Sequence, residues 1–489
     1  MLLAGMAGGT AWGIRGQYGH ESGAAMAGIF VGFTLIVLYG RSLSPLHAAR
    51  AIALFALGIS VGGSMTYGQT VGLTHDGPLV GNVEAFRWGM LGLAIKGGVW
   101  IGLGGAFFGM GLGGKRYSAG QLLILFVGLI AAYFLGVHFL NQPFDPANKL
   151  LPEVYFSDDW FWEPDVDKPR PECWGGLVSA FALLLVYLSV IKRDWMGFAL
   201  GCWGLLGGAL GFPAGQCVQA ANAWHGEWIA SLPTAEYTAH FNWWNMMETT
   251  FGFVMGAVVG LGCWFHREWI RRYADEASDK QTVSISPVFE LVLVLLHVRL
   301  LVAWNFQSFD AIDFMDDHAL FMIVLPVIAV MTGRYWPFLV SLPIIMVPIA
   351  GKTVRQLVFR EQEVPSIENA SWFVQWFGET TPAGQTGWDF YLVVPLALAT
   401  VVALFFASKA KNRSLAAQWY ASIGLVVAAW TYFYLNNAFF HSPWPWKEWT
   451  GRTVNGTFFC VSAICLTLAA IVCSPWFQTD FREPDSEVE

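Results

Sequence analysis

The residues with chemistry to offer lie where apolar runs are interrupted. The stretch "WGIRGQYGHE" (12–21) sets Arg15, Gln17, His20 and Glu21 between two runs that are otherwise apolar. Gly8-Gly9 precedes Gly16-Gln17 there; "GGALGFPAGQ", ending at Gln216, repeats the spacing, and "GGSMTYGQ", ending at Gln69, is tighter by two residues. A histidine and an acid follow each time: His20 and Glu21, His75 and Asp76, His225 and Glu227. Gly384-Gln385 is a looser fourth case. Imidazole beside carboxylate can move protons, and guanidinium and carboxamide groups can bind oxygen-rich ligands. Glycine at a helix end permits left-handed backbone and frees peptide groups, which within a membrane must line a cavity or be buried in protein. The motif therefore predicts that Gln17, Gln69 and Gln216 end or interrupt helices near one membrane face and converge on one cavity. The competing reading is a set of tight turns at headgroup level.

Other ionisable residues sit inside apolar runs: Lys96, Glu248, Glu290, His297, Arg299 and Asp389, with His138 near the end of one. Such residues are costly in a membrane and usually face a bundle interior. After Gln69 and after Gln216 the chain shows Trp-x-Met (Trp88, Met90; Trp244, Met246) opening a glycine-rich segment. This suggests a weak parallel repeat over 51–112 and 195–265, with Lys96 and Glu248 at comparable depth and Lys96 as the buried counter-charge to Glu248. Glu290 and His297 share a helix face by their spacing of seven. The predicted substrate-binding set is Arg15, Gln17, His20, Glu21, Gln69, His75, Gln216, Glu248 and Lys96. No metal site is expected, and neither catalytic residues nor cofactors are assigned.

The elements that must position these residues are membrane spans. The chain has 489 residues, 55% apolar and only 13% charged, against about 25% charge in soluble domains. Continuous apolar runs fall near 1–14, 22–40, 51–67, 88–112, 119–140, 174–191, 195–213, 243–265, 287–306, 318–332, 335–350, 387–408, 414–435 and 454–476. They predict an all-α polytopic membrane protein of about 12–14 spans, with broken or re-entrant helices; a barrel would alternate every second residue. Gly-x-x-x-Gly spacings (Gly98/Gly102, Gly105/Gly109, Gly252/Gly256/Gly260) predict close helix contacts. The expected division is a bundle with the first repeat copy (1–140), an acidic and aromatic loop (141–173), the second copy (174–265), a linker (266–286), a C-terminal bundle (287–476) and an acidic tail (477–489). Residues 1–14 lack the basic start and cleavage site of a signal peptide.

Lys and Arg number 14 in the short even-numbered loops and 10 in the longer odd-numbered loops, which also carry 22 acids. Positive loops stay inside, so both termini are expected to be cytoplasmic, in the cell (inner) membrane, with 141–173 outside. That loop reads as an ordered lid. Its acids (Asp158, Asp159, Glu163, Asp165, Asp167) lack the glycine and spacing of a calcium loop. Asp310, Asp313 and Asp317 read as a solvated acidic cap. "FNWWNMME" (241–248) and "YLNNAFFHSPWPWKEW" (434–449) interleave tryptophan with amides, histidine and acid. That mixture suits a sugar-like ligand or an aromatic membrane belt. Cys173 and Cys217 border polar loops, where they could pair. Asn369 and Asn455 begin glycosylation patterns.

The net charge of −8 excludes a nucleic-acid partner. Walker A, C-x-x-C-H, G-x-S-x-G and H-E-x-x-H motifs are absent. The leading expectation is a secondary transporter for a small polar, sugar-like solute. Two alternatives stand beside it: a membrane transferase acting at the outer leaflet, and a non-catalytic subunit that meets partner subunits through its extracytoplasmic loops. The lipid bilayer is a partner in every case.

Overall fold

The computed structural model describes residues 1–16, 21–62, 67–157, 162, 171–276, 286, 288, 292, 295–296, 393–409, 413–441 and 453–474. Among them the regular structure is helical, and the one β-contact is an isolated bridge between Asp145 and Leu150. The helices are α1 (Leu2–Arg15), α2 (Glu21–Tyr39), α3 (Pro45–Gly62), α4 (Gly68–His75), α5 (Val83–Leu112), α6 (Ala119–Leu140), α7 (Trp174–Val186), α8 (Trp195–Ala230), α9 (Ala235–Thr238), α10 (Trp243–Phe265), α11 (Arg267–Glu276), α12 (Val394–Lys409), α13 (Arg413–His441) and α14 (Thr453–Val472).

Among the described residues, six helical stretches are long and apolar enough to cross a membrane: 83–112, 120–140, 174–192, 195–230, 243–265 and 454–472. Shorter apolar helices cover 23–39, 47–62 and 421–436. The chain is an all-α polytopic membrane protein. The spans expected at 318–332 and 335–350, and nearly all of 287–306, lie outside the described residues.

Helix α5 forms the centre, packed between α3 and α8, while α10 packs between α8 and α1. Lipid tails are as apolar as leucine, so helices associate here by close approach. A Cβ on Gly208 would overlap the backbone of Gly97, and Gly105 and Gly109 abut the backbone at Leu200 and Met196. On α10, Gly252 and Gly256 meet Gly8 and Ala4 of α1 in the same way. The Gly-x-x-x-Gly reading thus holds at these contacts. In its most apolar window α5 is 83% buried and α6 only 22%. Leu123, Ile124, Val127, Ile130, Phe134 and Phe139 of α6 accordingly face outward.

One sequence expectation is corrected. Gln216 neither ends nor interrupts a helix: α8 runs unbroken through Pro213, Gly215 and Gln216, and departs from helical geometry only at His225 (φ −132°, ψ 30°). The physical reason lies at Gly215, where a Cβ would strike the carbonyl of Met247. There glycine admits a neighbouring helix, and continuing the helix keeps the peptide groups paired in an apolar interior. Cys173 and Cys217, which the sequence left open as a pair, do not form a disulfide. Asn455, which opens one glycosylation pattern, is buried inside the bundle.

The two ends of the bundle differ. At one end Tyr117 donates to Asp194 (2.5 Å), and Asp194 caps α8 by accepting from Gly197 N (3.1 Å). Burial pushes the Asp194 carboxyl up, opposed by the hydrogen bond from Tyr117. Burial first, and then the Asp194 charge, push the Tyr117 hydroxyl up. Also at this end, Trp203 Nε1 donates to His266 Nε2 (3.3 Å) at the close of α10. The opposite end gathers the C-terminal ends of α1 and α8, the N-terminal ends of α5 and α10, and all of α4.

Candidate functional site

Helix α1 ends at Arg15, with Gly16 as its cap. The cap has φ −53°, ordinary right-handed backbone, so left-handed freedom is not what Gly16 supplies. A Cβ at Gly16 would fall on the Glu248 carboxylate, and one at Gly23 on the Arg15 side chain. These glycines make room for a buried pair. Arg15 Nη1 lies 3.8 Å from Glu248 Oε1 and donates to the Tyr67 hydroxyl at 2.6 Å. Arg15 Cζ sits 5.6, 5.7 and 5.2 Å from the ring centres of Trp12, Tyr67 and Trp100. Cation–π attraction within about 6 Å is strongest where water is excluded, and both charged side chains are at most 3% exposed. The aromatic box therefore offsets part of the cost of removing a guanidinium from water.

Glu248 is held from its own helix. Trp244 Nε1 donates to Oε1 (3.1 Å) and Asn245 Nδ2 to Oε2 (3.3 Å). Asn242 starts α10 by accepting from Asn245 N (2.9 Å), which fixes the phase of that face. Asn245 Nδ2 also donates to the Gly13 carbonyl, and its oxygen accepts from Asn455 Nδ2, both at 2.5 Å. One asparagine thus ties α1, α10 and α14 together beside the ion pair.

Helix α4 forms the next wall. Thr74 accepts from Gln216 Nε2 (2.7 Å) through its hydroxyl and from Trp224 Nε1 (2.8 Å) through its carbonyl, which holds α4 on α8. His75 has one ring nitrogen 2.9 Å from the Val71 carbonyl and the other 3.6 Å from Asp76. Its ring centre lies 6.3 Å from that of Trp244. Gln69 is half-buried in the first turn of α4.

The expected Lys96–Glu248 pair is not formed. Lys96 Nζ contacts Glu172 Oε1 at 3.0 Å and donates to Thr70 Oγ1 (2.6 Å) and the Phe156 carbonyl (3.3 Å). Glu172 also accepts from Ser157 Oγ (2.5 Å) and Phe156 N (3.4 Å), and Thr70 donates to the Phe156 carbonyl. Depth explains the change of partner. Lys96 lies fourteen residues past its helix cap Asn82, and Glu248 six past Asn242. At 1.5 Å per residue the eight-residue difference is about 12 Å, so matching the copies by Trp-x-Met misplaces the two charges.

The structure thus joins Arg15 to Glu248, places His75 beside Trp244, docks Gln216 on α4, and sets Lys96 in a separate network. Glu21 opens α2. Its side chain lies outside the described residues, as do Gln17, His20, Glu290, His297, Arg299, Asp389, Asp158, Asp159, Glu163, Asp165, Asp167, the 310–317 acids and 442–449. His138, His225 and Glu227 are exposed. Sequence reasoning missed Tyr67, Thr70, Trp100, Glu172, Asn245 and Asn455. Asn245 lies inside the polar-aromatic stretch 241–248, and Glu172 directly before a span; both positions were visible, their partners were not. No known protein family, curated protein or solved structure matches the chain.

Proposed function

We propose that this protein is a secondary transporter for a small, polar, sugar-like solute, with its binding site at the bundle end formed by α1, α4, α8 and α10. The observation that carries the reading is the Arg15–Glu248 pair: two opposite charges buried among apolar helices, ringed by Trp12, Tyr67 and Trp100 and touched by Trp244 and Asn245. Such intramembrane charges are costly and mark ligand or proton paths. The short helix α4, set apart from α3 and packed on α5 and α8, suits a discontinuous segment at a site. The excess of Lys and Arg in the short loops supports cytoplasmic termini and an outward-facing site, in the cell (inner) membrane.

The test is counterflow in proteoliposomes. Vesicles preloaded with unlabelled hexoses or polyols should take up the radiolabelled form faster than protein-free vesicles, and Arg15→Met combined with Glu248→Gln should remove the difference. Equal rates across hexoses, polyols and small zwitterions would refute transport of this solute class. The His75–Asp76 contact beside Trp244 favours a second reading, a transferase at the outer leaflet with these two residues as proton carriers. Turnover of a lipid-linked sugar by the purified protein, without counterflow, would select it.

A further inference from the structure

Two carboxamide oxygens at the junction of α4, α8 and α10 lack any hydrogen-bond donor: Oε1 of Gln216 and Oε1 of Gln219. The residues are 0% and 6% exposed. A buried acceptor without a partner is costly, and native proteins leave few of them. For Gln216 the amide orientation follows from its neighbours: Thr74 Oγ1 donates to the Val71 carbonyl (2.7 Å), so it accepts from Gln216 Nε2, and Oε1 faces away.

The helical wheel places the second oxygen. At about 100° per residue, Gln219 falls between Gln216, which faces α4, and Gly215, which abuts Met247 of α10. Both residues therefore lie on the side of α8 that faces α4 and α10, whose His75 and Trp244 rings are 6.3 Å apart.

The chemistry discriminates among occupants. The acceptors are neutral, the buried charges nearby, Arg15 and Glu248, are paired, and Asp76 lies 3.6 Å from His75. A bare cation would need about six oxygens, and among the described residues no group of three or more His, Cys, Asp or Glu could hold one. Two uncharged acceptors three residues apart on one helix suit a ligand with several hydroxyl donors. We propose that Gln216 and Gln219 form the hydroxyl-reading edge of the solute site, accepting hydrogen bonds from neighbouring hydroxyls of a neutral polyhydroxylated solute. The proposal rests on the transport reading above and specifies its ligand chemistry.

The full chain in nanodiscs tests it, with tryptophan fluorescence titrated by glucose, mannose, galactose and inositol, and melting followed without ligand. Gln219→Met is the primary variant, since Gln219 donates to nothing identified and the swap keeps the side chain's length. The expected result is that wild type binds at least one of these compounds, that Gln219→Met binds it roughly three- to tenfold more weakly, as loss of one neutral hydrogen bond implies, and that the variant melts no lower than wild type. Gln216→Glu, which keeps an acceptor but adds charge, should also weaken binding. Wild-type binding with Gln219→Met unchanged would overturn the inference and leave the transport reading standing. A ligand-free variant that melts well below wild type would show that an internal water satisfies the amide for structural reasons, and would also overturn it. A wild type that binds none of the four compounds would refute both together.

Discussion

Among the described residues two buried ion pairs lie within this bundle, and they are built differently. Lys96–Glu172 joins α5 to the segment just before α7, at 3.0 Å, and its partners are Thr70, Ser157 and backbone groups of Phe156. It fastens residues 155–157 and Glu172 onto α4 and α5, and Trp88 Nε1 reinforces it by donating to the Tyr155 carbonyl (2.8 Å). Arg15–Glu248 joins α1 to the membrane-crossing helix α10 at 3.8 Å, and its surroundings are aromatic faces, a tyrosine hydroxyl and a carboxamide. The first pair is a short clamp, hydrogen-bonded on both sides, that holds Glu172 and residues 156–157. The second is a looser pair among recognition-type side chains. A buried charge pair by itself therefore says little; the groups around it distinguish a fastening from a site.

The largest expected effect separates the two by stability. Lys96→Met or Glu172→Gln alone strands a buried charge and should cost about 3–5 kcal/mol, read as loss of monodisperse protein on size-exclusion chromatography after heating. The double variant should recover most of that loss and keep counterflow activity. A double variant that folds but does not transport would move the site to Lys96.

The reverse pattern is expected at the second pair. Arg15→Met with Glu248→Gln should fold, because each change relieves the other, yet lose solute affinity roughly ten- to a hundredfold, as for removal of a charged hydrogen-bond partner. Retained affinity in that double variant would reduce Arg15–Glu248 to a second fastening.

Gly16→Ala sharpens the contrast with a smaller change. The new Cβ meets only the end of the Glu248 side chain, which can swing aside. Folding should suffer by about 1 kcal/mol or less, while counterflow falls severalfold. Gly208→Ala, by contrast, meets backbone at Gly97 and should cost about 1–3 kcal/mol in melting stability. If Gly16→Ala behaves like Gly208→Ala, the Glu248 carboxylate is clamped as firmly as a helix contact.

The smallest effect lies at the opposite end of the bundle and depends on pH. Burial lowers the His266 imidazole from its ordinary value of 6.5, and its Nε2 accepts from Trp203. The folded value lies below the unfolded one. The ring therefore contributes stability above pH 6.5, and this is lost as pH falls through the folded value. Between pH 7.5 and 5.5 the wild type should lose melting temperature relative to His266→Gln, by no more than about 2 °C. A drop equal in both proteins would assign the pH response elsewhere.

Much of the architecture was legible from single residues. The runs at 119–140 and 243–265 coincide with α6 and α10, because a helix that pairs its own peptide groups is what a long apolar run in lipid must form. The packing role of Gly105, Gly109, Gly252 and Gly256 was legible for a related reason: a missing side chain at helical spacing has one main use between membrane helices. Arg15 and Glu248 stood out because charge is rare in such runs. The Gly-Gln motif was a poorer guide. Its glycine caps α1 at Gly16, starts α4 at Gly68 and lies within α8 at Gly215, since glycine serves equally to admit a carboxylate, to begin a helix or to admit a neighbour.

What the sequence determined by itself is the class of the molecule and the identity of its costly residues, because hydrophobic burial and the expense of intramembrane charge are properties of composition and local spacing. Which charges meet was decided by tertiary structure alone. Glu172, close in sequence to a cluster of other acids, is drawn to Lys96 because the chain folds back over α4. Arg15 reaches Glu248 across 233 residues because Gly16 leaves space for its carboxylate. Coulomb attraction and hydrogen bonding act over a few ångströms, and only the fold sets those distances.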